Sequence, residues 1–240
     1  MSMEQMHEPD IFELRERIDT IKKKPVRMCV KFLYLIDGRI SEAIGEIYPS
    51  DAKYTTPRGP LGRSLDFQEH MGEEAALFSV NTSKRKGIKR ICAVPLNKEY
   101  EPWAKEVSDY FQTFDYNDPI FPFKRQHVGR HSKDCWKDLW YKIASYNIIE
   151  VDHLGNVILD DEGKKLKREI DAHFRSFNLH AGRHIRASDL VVYYGFVGAD
   201  LSAFAGWKLS TAMGVSSSVD RYVTLNWRSY FPKFLRKRYR

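Results

Sequence analysis

Cysteine is scarce. Cys29, Cys92 and Cys135 are the only three in 240 residues, and an odd, scattered set cannot form a disulfide framework. No pair has the CxxC spacing of a zinc knuckle, so the thiols fit a reducing interior. Long apolar runs are missing as well: no stretch approaches about 18 apolar residues, which excludes a membrane-spanning helix. The opening MSMEQMHEPD lacks the basic start and apolar stretch of a secretory signal. There is no internal repeat, no Gly/Ser linker and no carboxylate cluster that reads as a metal centre. These absences leave a soluble, intracellular, globular chain with no membrane partner and no implied cofactor.

What the chain does have is a core and a basic balance. Hydrophobic residues make up 42%, aromatics 13% and charged residues 30%, enough apolar matter for a substantial interior. Thirty-nine Lys and Arg face 32 Asp and Glu, a net charge of +7 that favours polyanions through counterion release. The basic excess is heaviest at the end, where FPKFLRKRYR carries Lys233, Arg236, Lys237, Arg238 and Arg240 among aromatics. Such a tail either tracks a phosphate backbone or docks as a helix on a neighbouring subunit.

Periodicity predicts an α+β fold, mainly α. Residues 1–25 read as a short helical lead-in closed by Lys22-Lys23-Lys24-Pro25, and residues 26–240 as one domain with a basic C-terminal segment. Val26, Cys29, Val30 and Leu33 have helical spacing up to Asp37-Gly38, and Ile40, Ala43, Ile44 and Ile47 begin a second helix. Residues 50–76 hold Pro57, Gly59, Pro60 and Gly62 and read as a long loop or an insertion. Phe78–Val80 and Ile91–Val94 then flank a basic stretch, a β-hairpin with a basic tip. Helices are expected around Trp103–Phe111, Cys135–Ala144, 163–176, 184–195, 199–206 and in a last pair over 216–237, with a second hairpin at 147–160 turning at Gly155-Asn156.

Three local signals carry chemistry when taken together. Asp37-Gly38-Arg39-Ile40-Ser41-Glu42 places an arginine in the first turn of a helix. His180-Ala181-Gly182-Arg183 opens another. Asp220-Arg221-Tyr222 puts a tyrosine late in a short helix capped by Ser216 or Ser217. Lys84 lies between, at the end of a hairpin strand. Singly, each is an ordinary capping arginine, structural histidine, core tyrosine or solvated lysine. As one site they suit a phosphodiester. Two guanidinium forks can offset charge on the non-bridging oxygens, a tyrosine can attack phosphorus, and a lysine can protonate the leaving oxygen.

These segments resemble the catalytic domain of the tyrosine recombinase (phage-type integrase) family. FLYLIDGRISEAIGE is similar to the family's first arginine box, which assigns Arg39 and Glu42. VNTSKRKGIKRICAVPL resembles its lysine hairpin, favouring Lys84 with Lys86 as the alternative. HAGRH matches the HxLRH box, giving His180 and Arg183, and GADLSAFAGWK resembles the following box, with Trp207 in the slot of histidine or tryptophan. SSSVDRYV resembles the segment that delivers the nucleophile, Tyr222. Fifteen residues separate Trp207 from Tyr222, longer than usual in the family, so Met213–Ser216 is the other segment that can align with Gly-His-Ser.

The resemblance implies a site-specific recombinase that cleaves and rejoins double-stranded DNA through a 3′-phosphotyrosine, without a metal or other cofactor, and self-associates as a dimer or tetramer on DNA. Arg39 and Arg183 would clamp the phosphate, Lys84 protonate the 5′-oxygen, His180 assist, Trp207 support the phosphate, and Glu42 orient Arg39 or His180. Lys86, Lys89, Arg90, Arg186, Arg236, Lys237 and Arg238 are the candidate DNA contacts. The alternatives are a type IB topoisomerase-like enzyme, or a DNA-binding module that has kept the fold and lost catalysis. The expected geometry is convergence of Arg39, Lys84, His180, Arg183 and Tyr222 on one basic concave face.

Overall fold

The computed structural model describes residues 8–44, 59–82, 89–143, 145–206 and 226–236. Over these residues the fold is mixed α+β, about 42% helical and 23% strand, with small sheets. Helix α1 (Ile11–Asp19) is capped by Asp10, whose side chain accepts from the Glu13 N–H at 2.8 Å, and buries Ile11, Leu14 and Ile18 in the common core. Helix α2 (Lys24–Leu35) starts at Pro25, suited to a first turn, and is buried along most of its length. Its Phe32 ring lies 5.4 Å from Phe78, 5.1 Å from Phe111 and 5.6 Å from Phe121. That aromatic knot joins α2 to the sheet and to α4 (Ala104–Gln112). After α2 the chain turns through Asp37 in the left-handed region (φ +48°) into the short helix α3 (Ile40–Ile44).

The main sheet is an antiparallel meander of β1 (Leu65–His70), β2 (Glu73–Asn81) and β3 (Lys89–Pro95), with Phe78 opposite both Leu65 and Cys92. The β2–β3 pair is the expected hairpin. The first strand corrects the reading of 50–76 as loop. LDFQEH is too polar to announce itself, and its turn is Met71-Gly72, with both residues at positive φ (57° and 77°), where Asn-Gly is the usual signal. The outer edge of β3 is covered by α8 (Trp227–Phe234), whose Tyr230 hydroxyl accepts from the Ala93 N–H at 2.9 Å and donates to the Ile91 carbonyl at 3.0 Å.

Between α5 (Arg125–Ser132) and α6 (Leu179–Val192) the expected helices over 135–144 and 163–176 are replaced by a β-arm. One 3-10 turn (Lys133–Trp136) and Asp138 at φ +64° lead into β4 (Trp140–Ile143), which pairs with β7 (His173–Ser176). Farther out, β5 (Tyr146–Ile149) pairs with β6 (Lys167–Ile170). The tip consists of two turns of the same build. Asp152 accepts from the N–H groups of Leu154 and Asn156, and Asp160 from those of Glu162 and Lys164, with Gly155 and Gly163 at φ +86° and +75°. The sequences VDHLGNVI and LDDEGKKL are thus a tandem repeat too short to see without the turns.

Helix α7 (Gly198–Ala205) ends at Gly206 and packs, with α8, against β3. Lys233 of α8 holds Asp200 and donates to the Gly195 carbonyl at 3.0 Å, so this cation of the basic tail is engaged inside the domain. The three cysteines are buried and free; burial pushes the thiols of Cys92 and Cys135 up to about 12, which keeps them protonated and unreactive. Among the described residues no helix is long and apolar enough to cross a membrane.

Candidate functional site

Two guanidiniums from distant parts of the sequence meet where the α2–α3 turn, β3, the start of α6 and the end of α7 come together. Arg39 opens α3, and its own N–H donates to Glu42 Oε2 at 3.0 Å while its Nη1 reaches Glu42 Oε1 at 3.4 Å. The Glu42 carboxylate is thus both a helix cap and an anchor for the Arg39 side chain, which stays about 31% exposed. Arg183 arrives from the first turns of α6, a helix capped by Asn178 through the N–H groups of His180 and Ala181 at 2.8 and 3.1 Å. Its Nε lies 3.3 Å from Asp37 Oδ2 and its Nη2 3.4 Å from the Ala205 carbonyl.

Arg90 locks the two halves together. From β3 its Nη1 donates to the Ile36 carbonyl at 2.8 Å and to the Phe204 carbonyl, and its Nη2 to Glu42 Oε2 at 3.1 Å. One buried side chain therefore ties the end of α2, the end of α7 and the glutamate that holds Arg39. This corrects the assignment of Arg90 as a DNA contact: it is about 93% buried, with its fork filled by protein oxygens. Arg186 is corrected for the same reason. It is fully buried, with Nη2 on Glu101 at 2.8 Å and Nη1 on Asp189 at 2.7 Å, and its guanidinium carbon lies 4.9 Å from the centre of the Tyr34 ring. Lys89 and Arg236 are exposed and available to a ligand.

The electrostatics follow from this crowding. Burial lowers the pKa of Arg39, and the Arg183 and Arg90 charges lower it further against the pull of Glu42. Burial would raise the Glu42 carboxyl, but Arg90, the Arg39 N–H, Arg183 and Arg39 together hold it below its usual value. At Asp37 burial prevails: its pKa rises to about 6 despite Arg183 and Arg90, and its Oδ1 has no hydrogen-bond partner among the described residues. Three guanidiniums over two carboxylates leave an excess positive charge, and it faces out through Arg39.

The chain matches no family model, no curated protein and no solved structure. The site is therefore read from its own geometry. That geometry brings Arg39, Glu42 and Arg183 together, and it sets His180 one turn before Arg183 on α6, exposed, with its ring 5.0 Å from that of His184. Lys84, Lys86, Trp207, Tyr222, Lys237 and Arg238 lie outside the described residues. Their described neighbours Thr82 and Gly206 nonetheless meet at the site. Gly206 has φ +68°, and a Cβ there would stand 3.0 Å from Arg90 Cδ and 3.3 Å from Thr82 Cγ2. Among the described residues no group of three His, Cys, Asp or Glu side chains is placed to hold a metal ion.

Sequence reasoning missed Asp37 as the partner of Arg183 and Arg90 as the internal brace. For Arg90 the signal was present in the strand period: Arg90, Cys92 and Val94 share the inward face of β3, while Ile91 on the other face is 44% exposed.

Proposed function

We propose that this chain is a tyrosine recombinase-type enzyme that cleaves and rejoins double-stranded DNA. The observation that supports the reading is the pairing of Arg39 with Arg183. They come from the two segments that resemble the family's arginine boxes, 144 residues apart, and close enough that the Arg183 charge depresses the Arg39 pKa. A scissile phosphate set against them meets two forks matched to its non-bridging oxygens. Tyr222 Oη attacks the phosphorus, the bond to the 5′-oxygen breaks, and a 3′-phosphotyrosine forms. The tyrosine proton passes to a base, a role this reading gives to His180, and Lys84 protonates the departing 5′-oxygen. Reversal of the step with a new 5′-hydroxyl rejoins the strand. Lys89 and Arg236 would lie along the flanking backbone.

The test is a nicked duplex that traps the covalent state, incubated with wild type and Tyr222→Phe. The expected result is a protein–DNA adduct that survives denaturation in wild type and is absent from the variant, with duplex binding retained. Salt-sensitive binding without any adduct across a library of duplex sequences would leave a DNA-binding module and overturn the enzyme reading.

A further inference from the structure

The β-arm between α5 and α6 has no interior. From Trp140 to Ser176 no described residue is buried, whereas the flanking Leu139 and Phe177 are. A two-stranded ladder of this kind is marginal in water unless something covers it. Half of the exposed large apolar side chains of the described residues lie here, and Val151, Leu154, Val157 and Leu159 crowd the tip, Leu154 at 74% exposure. The tip, residues 150–166, is net acidic: Glu150, Asp152, Asp160, Asp161 and Glu162 outnumber Lys164 and Lys165, in a chain of net charge +7. An acidic, apolar surface repels nucleic acid and calls for a basic, apolar protein surface.

Such a surface exists at the root of the arm. A groove of about 1010 Å³ opens between α5, the base of the arm and the first turn of α6, floored by Trp136, Leu139, Trp140 and Phe177. Arg125, Lys133 and Lys137 line it against Asp134 and Asp138. The adjoining segment 119–133 adds Lys124 and Arg130 and has no acidic residue. About ten residues of ladder, at about 3.3 Å each, separate root from tip. We propose that the tip of one copy's arm docks in the root groove of a second copy. The contact is head-to-tail, so it propagates to a ring or a chain rather than stopping at a symmetric pair. The groove's lining includes His180, the base of the DNA reading, yet the contact itself needs neither Tyr222 nor DNA.

The experiment is mass measurement of the full chain by light scattering and sedimentation over a concentration series. Ile149 and Lys167 face each other, so residues 150–166 can be replaced by Asn-Gly to close a two-residue hairpin without touching the core. This tipless chain keeps its groove, and the K133E/K137E chain keeps its tip. Each alone is expected to be monomeric where wild type associates, and their equimolar mixture to form a dimer that grows no further. Combining D160K/D161K with K133E/K137E is expected to restore association. Wild type that stays monomeric at every concentration overturns the proposal, as does a tipless chain that associates like wild type. K133E/K137E that associates normally but loses DNA binding also overturns it, and assigns the groove to DNA. Unchanged melting temperatures of the variants separate these outcomes from misfolding.

Discussion

Replacing Arg90 by Met separates two roles that a basic residue on a lysine-rich hairpin can play. As a brace, Arg90 satisfies the Ile36 and Phe204 carbonyls and neutralises Glu42, which is about 99% buried. Methionine keeps the apolar stem but removes this charge from Glu42, whose other ion pair among the described residues, Arg39 at 3.4 Å, is about 31% exposed. Removing one partner of a buried pair costs about 3–5 kcal/mol, a large part of the roughly 5–15 kcal/mol that holds a domain together. For a chain of this size that is a fall in Tm of about 6–20 °C. A surface DNA contact would instead leave stability within about 0.5 kcal/mol and lower the salt dependence of DNA binding. Urea and thermal denaturation decide between them. Adding Glu42→Gln to Arg90→Met is expected to recover part of the loss, because the uncompensated buried charge is then gone. Arg90→Lys is expected to fail as well, since an ammonium cannot span three oxygens in fork geometry. An Arg90→Met protein that melts with wild type, or a double variant weaker than the sum of the two singles, would refute the brace.

Asp37 makes a pH-dependent prediction whose sign follows from its raised pKa. Between the ordinary carboxylate value of 3.8 and about 6 the folded chain keeps a proton that the unfolded chain has released, so the Asp37 contribution is fully present at low pH and is lost as pH rises through about 6. Relative to Asp37→Asn, which tolerates the left-handed backbone, wild type should lose about 3 kcal/mol between about pH 4 and 7; a flat difference would show that Asp37 keeps an ordinary pKa. Protonation of Asp37 also removes a negative charge from beside Arg183, so on the proposed reading binding of a short duplex should tighten on acidification in wild type and less so in Asp37→Asn, as read by anisotropy at fixed salt. Gly206→Ala puts a side chain at φ +68° against Arg90 Cδ and Thr82 Cγ2, and should cost about 1–2 kcal/mol in denaturant unfolding, whereas Gly155→Ala, strained but open on all sides, should cost less.

How far the fold was legible depended on whether a segment's pattern and its partners were local. The helix α2 and the helix 198–205 were readable because each has apolar spacing closed by a Gly stop, and β2–β3 because two β-prone runs flank a basic stretch. The arm was not. KKLKREIDAHFRSF has helical composition, and only its pairing with strands from Trp140 onward makes it extended, a choice set by tertiary context. The site divides in the same way. Arg39, Glu42 and Arg183 were visible as short motifs, since each lies at a helix start with its own cap. Arg90 was misread because a run of basic residues looks solvated, while its counter-charge, Glu42, lies 48 positions earlier in the chain. The two kinds of arginine are therefore told apart by what fills their forks. The Nη groups of Arg90 and Arg186 are held by buried protein oxygens, so neither fork can take a ligand without opening the brace. Arg183 lies against Asp37, whose own charge is unstable near neutrality, and the Ala205 carbonyl, and Arg39 stands partly in solvent. On the proposed reading a polyanion approaching this face meets the partly exposed Arg39 first, with Arg183 behind it, while the buried braces Arg90 and Arg186 position the site.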